Sequence, residues 1–286
     1  MLRKGENTIL RSKHILLGCW VMILVATSSP TLAQQAADEI ARELANPNTS
    51  RGTFSFPVDF VNYGGTLPDA GGQNAFKISA QPSLPYPVAS GVNFFLRPLI
   101  PVVLSQPVPT ASGFDSRGVA LGDIGFDAAI GKTFPSGLVL VGGIVGTMPT
   151  STDDQLGVHQ WLLGPEVLLA KVWHWGVLGA LVTHSWRVAG SNPSSTSITG
   201  GQYFVTINLG GGWQISGQPV WSYNHEAPEG DRLTFPLGSG VSRTMVLGSM
   251  PWKFGLQYWY YVARPEAFGP RQQIRFSVAP VLPLPW

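Results

Sequence analysis

From residue 51 to the end of the chain, apolar and polar side chains alternate in one segment after another. In 74–86, Phe76, Ile78, Ala80, Leu84 and Tyr86 share one parity, against Lys77, Ser79, Gln81 and Ser83. In 199–209, Tyr203, Val205, Ile207 and Leu209 stand against Gln202, Thr206 and Asn208. In 212–226, Trp213, Ile215, Trp221 and Tyr223 oppose Gln214, Ser216, Gln218, Ser222 and Asn224. The last stretch, 271–286, sets Ile274, Phe276, Val278, Pro280, Leu282, Leu284 and Trp286 against Gln273, Arg275 and Ser277. A period of two sends the two sets to opposite faces of a strand. Less regular segments at 53–61, 91–104, 119–132, 137–149, 158–172, 175–188, 231–246 and 251–264 bring the total to about twelve strands, with roughly ten or fourteen as neighbouring counts. Pro165 and Pro236 fall inside two of these, where each removes a ladder donor.

Many of the segments outlast the roughly five or six residues of a globular strand and approach the length of a tilted membrane strand. Their connections alternate in length. Long ones rich in Gly, Pro, Asp, Ser and Thr fall at 62–73, 105–118, 150–157, 189–198 and 265–270; short ones fall at 87–90, 133–136, 173–174, 210–211 and 247–250. Only 227–230 is short where the alternation calls for length. Long outer loops and tight periplasmic turns, with both termini on the periplasmic side, are the pattern of an even-stranded outer-membrane barrel. That topology collects Tyr86, Phe134, Trp173, Trp175, Trp213, Trp252 and Trp286 at one rim and Trp161, Trp221, Tyr223 and Tyr260 near the other, as interfacial girdles require. The predicted class is all-β: an antiparallel transmembrane barrel of the bacterial outer membrane, over residues 51–286. Residues 34–50 read as a short amphipathic periplasmic helix with Ala36, Ile40, Ala41 and Leu44 at helical spacing, stopped by Asn46-Pro47. It is either a periplasmic spacer or a plug for the barrel mouth.

Composition agrees. Charged residues are 12% of the chain, about half the share of a soluble domain, while Trp numbers 10. No stretch after residue 33 is apolar for the length a membrane helix needs. A net charge of +2, with no basic run in the mature chain, gives no reason to expect nucleic acid. At the N-terminus, Arg3, Lys4, Arg11 and Lys13 precede an apolar run from Ile15 to Ala26, and Thr31-Leu32-Ala33 offers a small-residue cleavage site. Residues 1–33 therefore read as a signal peptide. Leu16-Leu17-Gly18-Cys19 looks like a lipoprotein box, but a lipobox closes its apolar run and here Val21 to Ala26 continue it. With Cys19 removed, the mature chain has no thiol.

If the apolar parity faces lipid, the other lines the lumen with Lys77, Arg97, Lys253 and Arg275 as cations and Asp123, Asp127 and Glu166 as anions. A charge turned to lipid at mid-depth would cost about 2–4 kcal/mol, which favours this placement. The set reads as a salt-bridge network or as a selectivity constriction. Phe95, Phe204, Trp259 and Tyr261 share the inward parity; they form an apolar track or fill the barrel. Trp286, a terminal aromatic, serves the girdle and is a candidate signal for the barrel-assembly machinery. Catalysis is not expected. His184 and Ser185 are strand neighbours and point to opposite faces, so they cannot act as base and nucleophile. His159, His174 and His225 sit near strand ends, and Thr152-Asp153-Asp154 lacks the ligand spacing of a calcium loop. No metal or cofactor is expected, and the expected partners are outer-membrane lipid, the assembly machinery and small hydrophobic solutes.

From Thr150 onward the chain resembles the outer-membrane barrels described as transporters or phenol meta-cleavage-pathway proteins, some labelled neuromedin U. The stretches that carry the likeness are TSTDDQLG (150–157), GPEV (164–167), GGWQISGQPV (211–220), FPLGSGVSR (235–243) and YVARPEAFGPRQQIRF (261–276), with ALGDIGF (120–126) and LANP (44–47) upstream. The resemblance implies an outer-membrane barrel that admits aromatic or other hydrophobic compounds. The chain departs from that pattern at Asn224-His225, where Asp-Trp is common, at Arg243, where lysine is usual, and at Tyr261, where asparagine is usual. The expected function is passive uptake of small hydrophobic or aromatic solutes. The alternative is a structural or surface-interaction barrel with a plugged lumen.

Overall fold

The computed structural model describes residues 32–286, so Cys19 and all but the last positions of the expected signal peptide lie outside it. Helix α1 (Leu32–Ala45) leads into β1 (Gly52–Gly64), β2 (Asn74–Ala89) and β3 (Val92–Thr110). Next come β4 (Gly113–Arg117), β5 (Ala120–Leu121), β6 (Ile124–Thr133), β7 (Leu138–Met148), β8 (Gln160–Trp173) and β9 (Gly176–Gly190). The chain continues through β10 (Ser197–Gly210), β11 (Trp213–Gly217), β12 (Val220–Asn224), β13 (Leu233–Leu247), β14 (Met250–Ala263) and β15 (Gly269–Leu282). Neighbours pair antiparallel in chain order, and β15 closes on β1 through rows such as Val58↔Phe276 and Phe60↔Ile274. The result is a closed barrel of 12 strands.

The count reaches twelve because some segments are fragments. β11 and β12 are halves of one wall strand, in the same register against β10 (Ile207↔Ile215 and Ile198↔Asn224) and interrupted at Gln218-Pro219. Pro219 supplies no N–H, which breaks the ladder there. Across the same break, pairing with β13 lapses between Ser216↔Gly240 and Ser222↔Thr234. Side chains replace some of the lost bonds: Tyr203 OH donates to Pro236 O at 2.8 Å, and the Gln218 amide donates to Gln257 Oε1 at 3.1 Å.

Two expected boundaries move. The stretch 105–118, expected as a loop, is instead the end of β3 paired with β4 in a ribbon beyond the wall (Pro107↔Ser116, Pro109↔Phe114). Pro107 and Pro109 share a parity, so their missing donors fall on one edge and leave the other free to pair. The last strand stops at Leu282 rather than running to 286, because Pro283 and Pro285 cannot donate to a ladder. Trp286 instead turns its ring toward Tyr86, 5.4 Å away, and donates Nε1–H to Pro85 O at 2.8 Å.

The outside of the wall is apolar: Leu96, Ile130, Leu140, Ile144, Leu169, Val182, Val241, Leu256 and Phe276 are all exposed. At the tight-turn end this band meets Tyr86, Trp213, Trp286 and the stacked pair Trp173 and Trp175; at the other, Trp161, Trp186 and Tyr260. An apolar belt between aromatic girdles is the lipid-facing surface of a membrane barrel. The buried core lies inside, at the tight-turn end, where Ala129, Val139, Val141, Leu168, Ala170, Val177 and Phe204 meet Ala45 of α1.

Helix α1 therefore docks inside the barrel at the tight-turn end. It buries Ala37, Ile40 and Ala41, a face turned slightly from the expected one, since Ala36 is exposed. The Gly212 amide donates to Asp38 Oδ1, and Gln214 Nε2 donates to the Ala41 carbonyl. After the helix, Asn48 Nδ2 donates to Gly91 O and Thr133 Oγ1, while Asn93 Nδ2 donates to Asn48 O. Each bond ties the segment to a periplasmic turn or the strand end beside it. An ion pair of Arg51 with Glu43 holds the tether against the helix.

Candidate functional site

Strand register decides which charges meet. On β1, Ser55, Pro57 and Asp59 take the inward parity while Phe54, Phe56, Val58 and Phe60 take the other. Asp59 lies directly across from Arg275 on one side and Lys77 on the other. Opposite charges in cross-strand positions attract. Arg275 grips Asp59 with both prongs, Nε to Oδ1 at 2.6 Å and Nη2 to Oδ2 at 2.8 Å, the strong bidentate form. Gln273 Nε2 donates to Asp59 Oδ1 at 2.8 Å, and Tyr261 OH donates to Gln273 Oε1 at 2.7 Å. The Arg275 guanidinium lies 4.5 Å over the Trp259 ring. Lys77 Nζ stands 4.0 Å from Asp59 Oδ2.

A second row follows the same logic. Arg97 faces Asp127 across the β3–β6 ladder and binds it at 2.8 Å. Glu166 of β8 comes within 4.0 Å of Arg97, but neither of its carboxylate oxygens has a hydrogen-bond partner among the described residues.

Two cavities meet at Lys77. The deeper one, about 390 Å³, is lined by Asp59, Lys77, Arg97 and Arg275, by Ser79, Gln81, Thr183, Gln202 and Gln218, and by a few apolar groups. The outer one, about 610 Å³, lies under the β3–β4 ribbon and the loops; Pro101, Val103, Val108, Leu156, Val158, Leu162 and Phe268 form most of its lining, Gln106, Asp123, Thr147 and Gln155 add polar groups, and Lys77 lies at its base. Aromatic rings hold its rim, Phe268 stacked on Tyr63 at 4.5 Å and tilted against Phe114 at 4.8 Å.

The residues expected in the lumen separate into groups. Lys77, Arg97, Asp127, Glu166 and Arg275 fall into the two rows. Lys253 points inward but lower, donating to Gln214 Oε1 at 3.0 Å beside the plug. Asp123 is not in the constriction. It sits at the outer end, where its carboxylate accepts the amides of Ser151 and Val158 and so pins the β7–β8 loop. Asp153 likewise caps a turn, accepting the Gln155 amide. Phe95, Phe204, Trp259 and Tyr261 are all inside and buried, so they pack rather than form an open track. His184 hydrogen-bonds Thr199, on the opposite face from Ser185. Asp59 went unmarked, although the alternation of Phe54, Phe56, Val58 and Phe60 already set it on the inward parity.

No family model matches the chain, and no curated protein matches it. Solved structures do. The COG4313 outer membrane channel from Pseudomonas putida F1 superposes with a TM-score of 0.61 at 13% identity, over 82% of this chain and 96% of that one. The fold is that of an outer-membrane β-barrel. More distantly, the NanC porin gives a TM-score of 0.49 at 8% identity (81% of this chain, 100% of that one). The CymD monoaromatic hydrocarbon channel gives 0.47 at 10% (85% and 92%).

Proposed function

We propose that this barrel is an outer-membrane channel for passive uptake of small hydrophobic or aromatic solutes. The observation that carries the reading is the apolar outer cavity, which opens among the surface loops and continues past Lys77 into the lumen. Water-filled porins present polar mouths; a mouth walled mostly by proline, valine, leucine and phenylalanine, with Gln106, Asp123, Thr147 and Gln155 between them, favours an apolar solute. The family resemblance of the sequence and the likeness of the fold to an outer membrane channel support the same reading. The alternative, a plugged structural barrel, draws on the docked α1. Cells that make the full chain should take up radiolabelled toluene severalfold faster than cells with an empty vector. Equal rates would favour the plugged barrel.

We also infer that Trp286, besides anchoring the rim through Tyr86 and Pro85, is read by the barrel-assembly machinery. Its deletion removes one girdle ring and perforce one hydrogen bond, about 1–3 kcal/mol of interfacial and packing energy. The truncated protein should refold in detergent nearly as well as the parent, yet accumulate poorly in the outer membrane. Equal membrane levels on immunoblots of isolated outer membranes would reduce Trp286 to a girdle residue.

A further inference from the structure

The charged rows of the lumen carry as many anions as cations, yet they do not present them equally. Among the cations, the Lys77 side chain is 45% exposed, Arg275 22% and Arg97 19%. Among the anions, Asp127 is 13% exposed, Asp59 2% and Glu166 1%. Asp59 is spent on Arg275 and Gln273, and Asp127 and Glu166 are gathered around Arg97. What faces the deeper cavity is a positive surface backed by buried negative charge. Lys77 is the least committed of the cations: among the described residues it makes no hydrogen bond, and its one ion pair is long at 4.0 Å. Around it, Ser79, Gln81, Thr183, Gln202 and Gln218 offer neutral hydrogen-bonding groups.

We infer that the deeper cavity is a carboxylate-binding site centred on Lys77, and that the solute is a small monocarboxylate with an apolar body. The geometry of the two cavities sets the pose. Lys77 belongs to both, so a carboxylate on its ammonium leaves the rest of the molecule in the apolar outer cavity. A narrow low-dielectric wall strengthens the attraction between a fixed ammonium and an entering anion. Arg97 and Arg275 are held in place by their own carboxylates, which fixes the positive surface before the solute arrives. A neutral isostere would gain the apolar contacts and lose the charge-assisted hydrogen bond.

This inference rests on the uptake reading and narrows its substrate, and binding to the purified full chain tests it. In detergent, equilibrium dialysis with radiolabelled benzoate and benzamide should show benzoate bound about tenfold more tightly, the expected size of one charge-assisted bond. Lys77→Gln should abolish that difference and Lys77→Arg should keep it. Benzamide bound as tightly as benzoate, or a benzoate preference that survives Lys77→Gln, would overturn the carboxylate site. So would an absence of benzoate binding. The wild-type comparison needs no variant, so a folding defect in Lys77→Gln leaves it decisive. Toluene uptake by cells judges the broader channel reading separately, because toluene carries no charge for Lys77 to meet.

Discussion

Deleting residues 34–50 should raise the conductance of the barrel. The segment docks at the tight-turn end of the barrel through a small apolar face, Ala37, Ile40, Ala41 and Ala45, and a handful of amide hydrogen bonds to the turns. Burial of one isoleucine and a few alanines contributes only about 4–6 kcal/mol, far less than the barrel wall contributes to itself. The barrel should therefore fold without the helix, and its tight-turn end should stand open. In planar bilayers, the barrel lacking it should show mean conductance about tenfold above that of the full chain, since a blocked constriction sets the resistance. Heat-modifiable migration on gels would confirm that the shortened protein is folded. Unchanged conductance would mean that the helix does not obstruct the lumen.

The second large effect concerns Asp59. Replacing it by alanine strips Arg275 of its bidentate partner and Gln273 of its acceptor, at the seam where the first and last strands meet. Breaking a buried ion pair from one side leaves an uncompensated charge and costs about 3–5 kcal/mol. Arg275 retains some access to lumen water, so the lower end applies, about 3 kcal/mol in the unfolding free energy that urea titration of the refolded barrel gives. The double variant Asp59→Ala/Arg275→Met should recover much of the loss, because the buried guanidinium is then gone and Lys77, which also loses its long ion pair, is half exposed. A single variant within about 0.5 kcal/mol of the parent would mean that lumen water screens the pair.

The wall was legible because lipid enforces it. Every strand that crosses must show an apolar residue at alternate positions, so Phe76 to Tyr86 and Tyr203 to Leu209 could hardly be read otherwise. The inward charges followed by parity. Their partners did not: Asp59 and Arg275 are 216 positions apart, and only the closing register brings them together. The place of α1 was also open, since an alanine-rich face suits a spacer as well as a plug. Strand breaks at Gln218-Pro219 and the paired ribbon at 105–118 depend on which edge each proline turns toward, which alternation of side chains does not disclose.

The short link between α1 and β1 changes how the docked helix behaves. Six residues, 46–51, separate the end of the helix from the first strand, a reach of about 20 Å when fully extended. A plug released from its contacts cannot diffuse away; it samples a volume beside its own docking surface. It acts as a tethered ligand, whose rebinding depends on effective local concentration and not on how much protein is present. Docking is then a unimolecular step. A free peptide of the same sequence would have to reach roughly millimolar concentration to take its place.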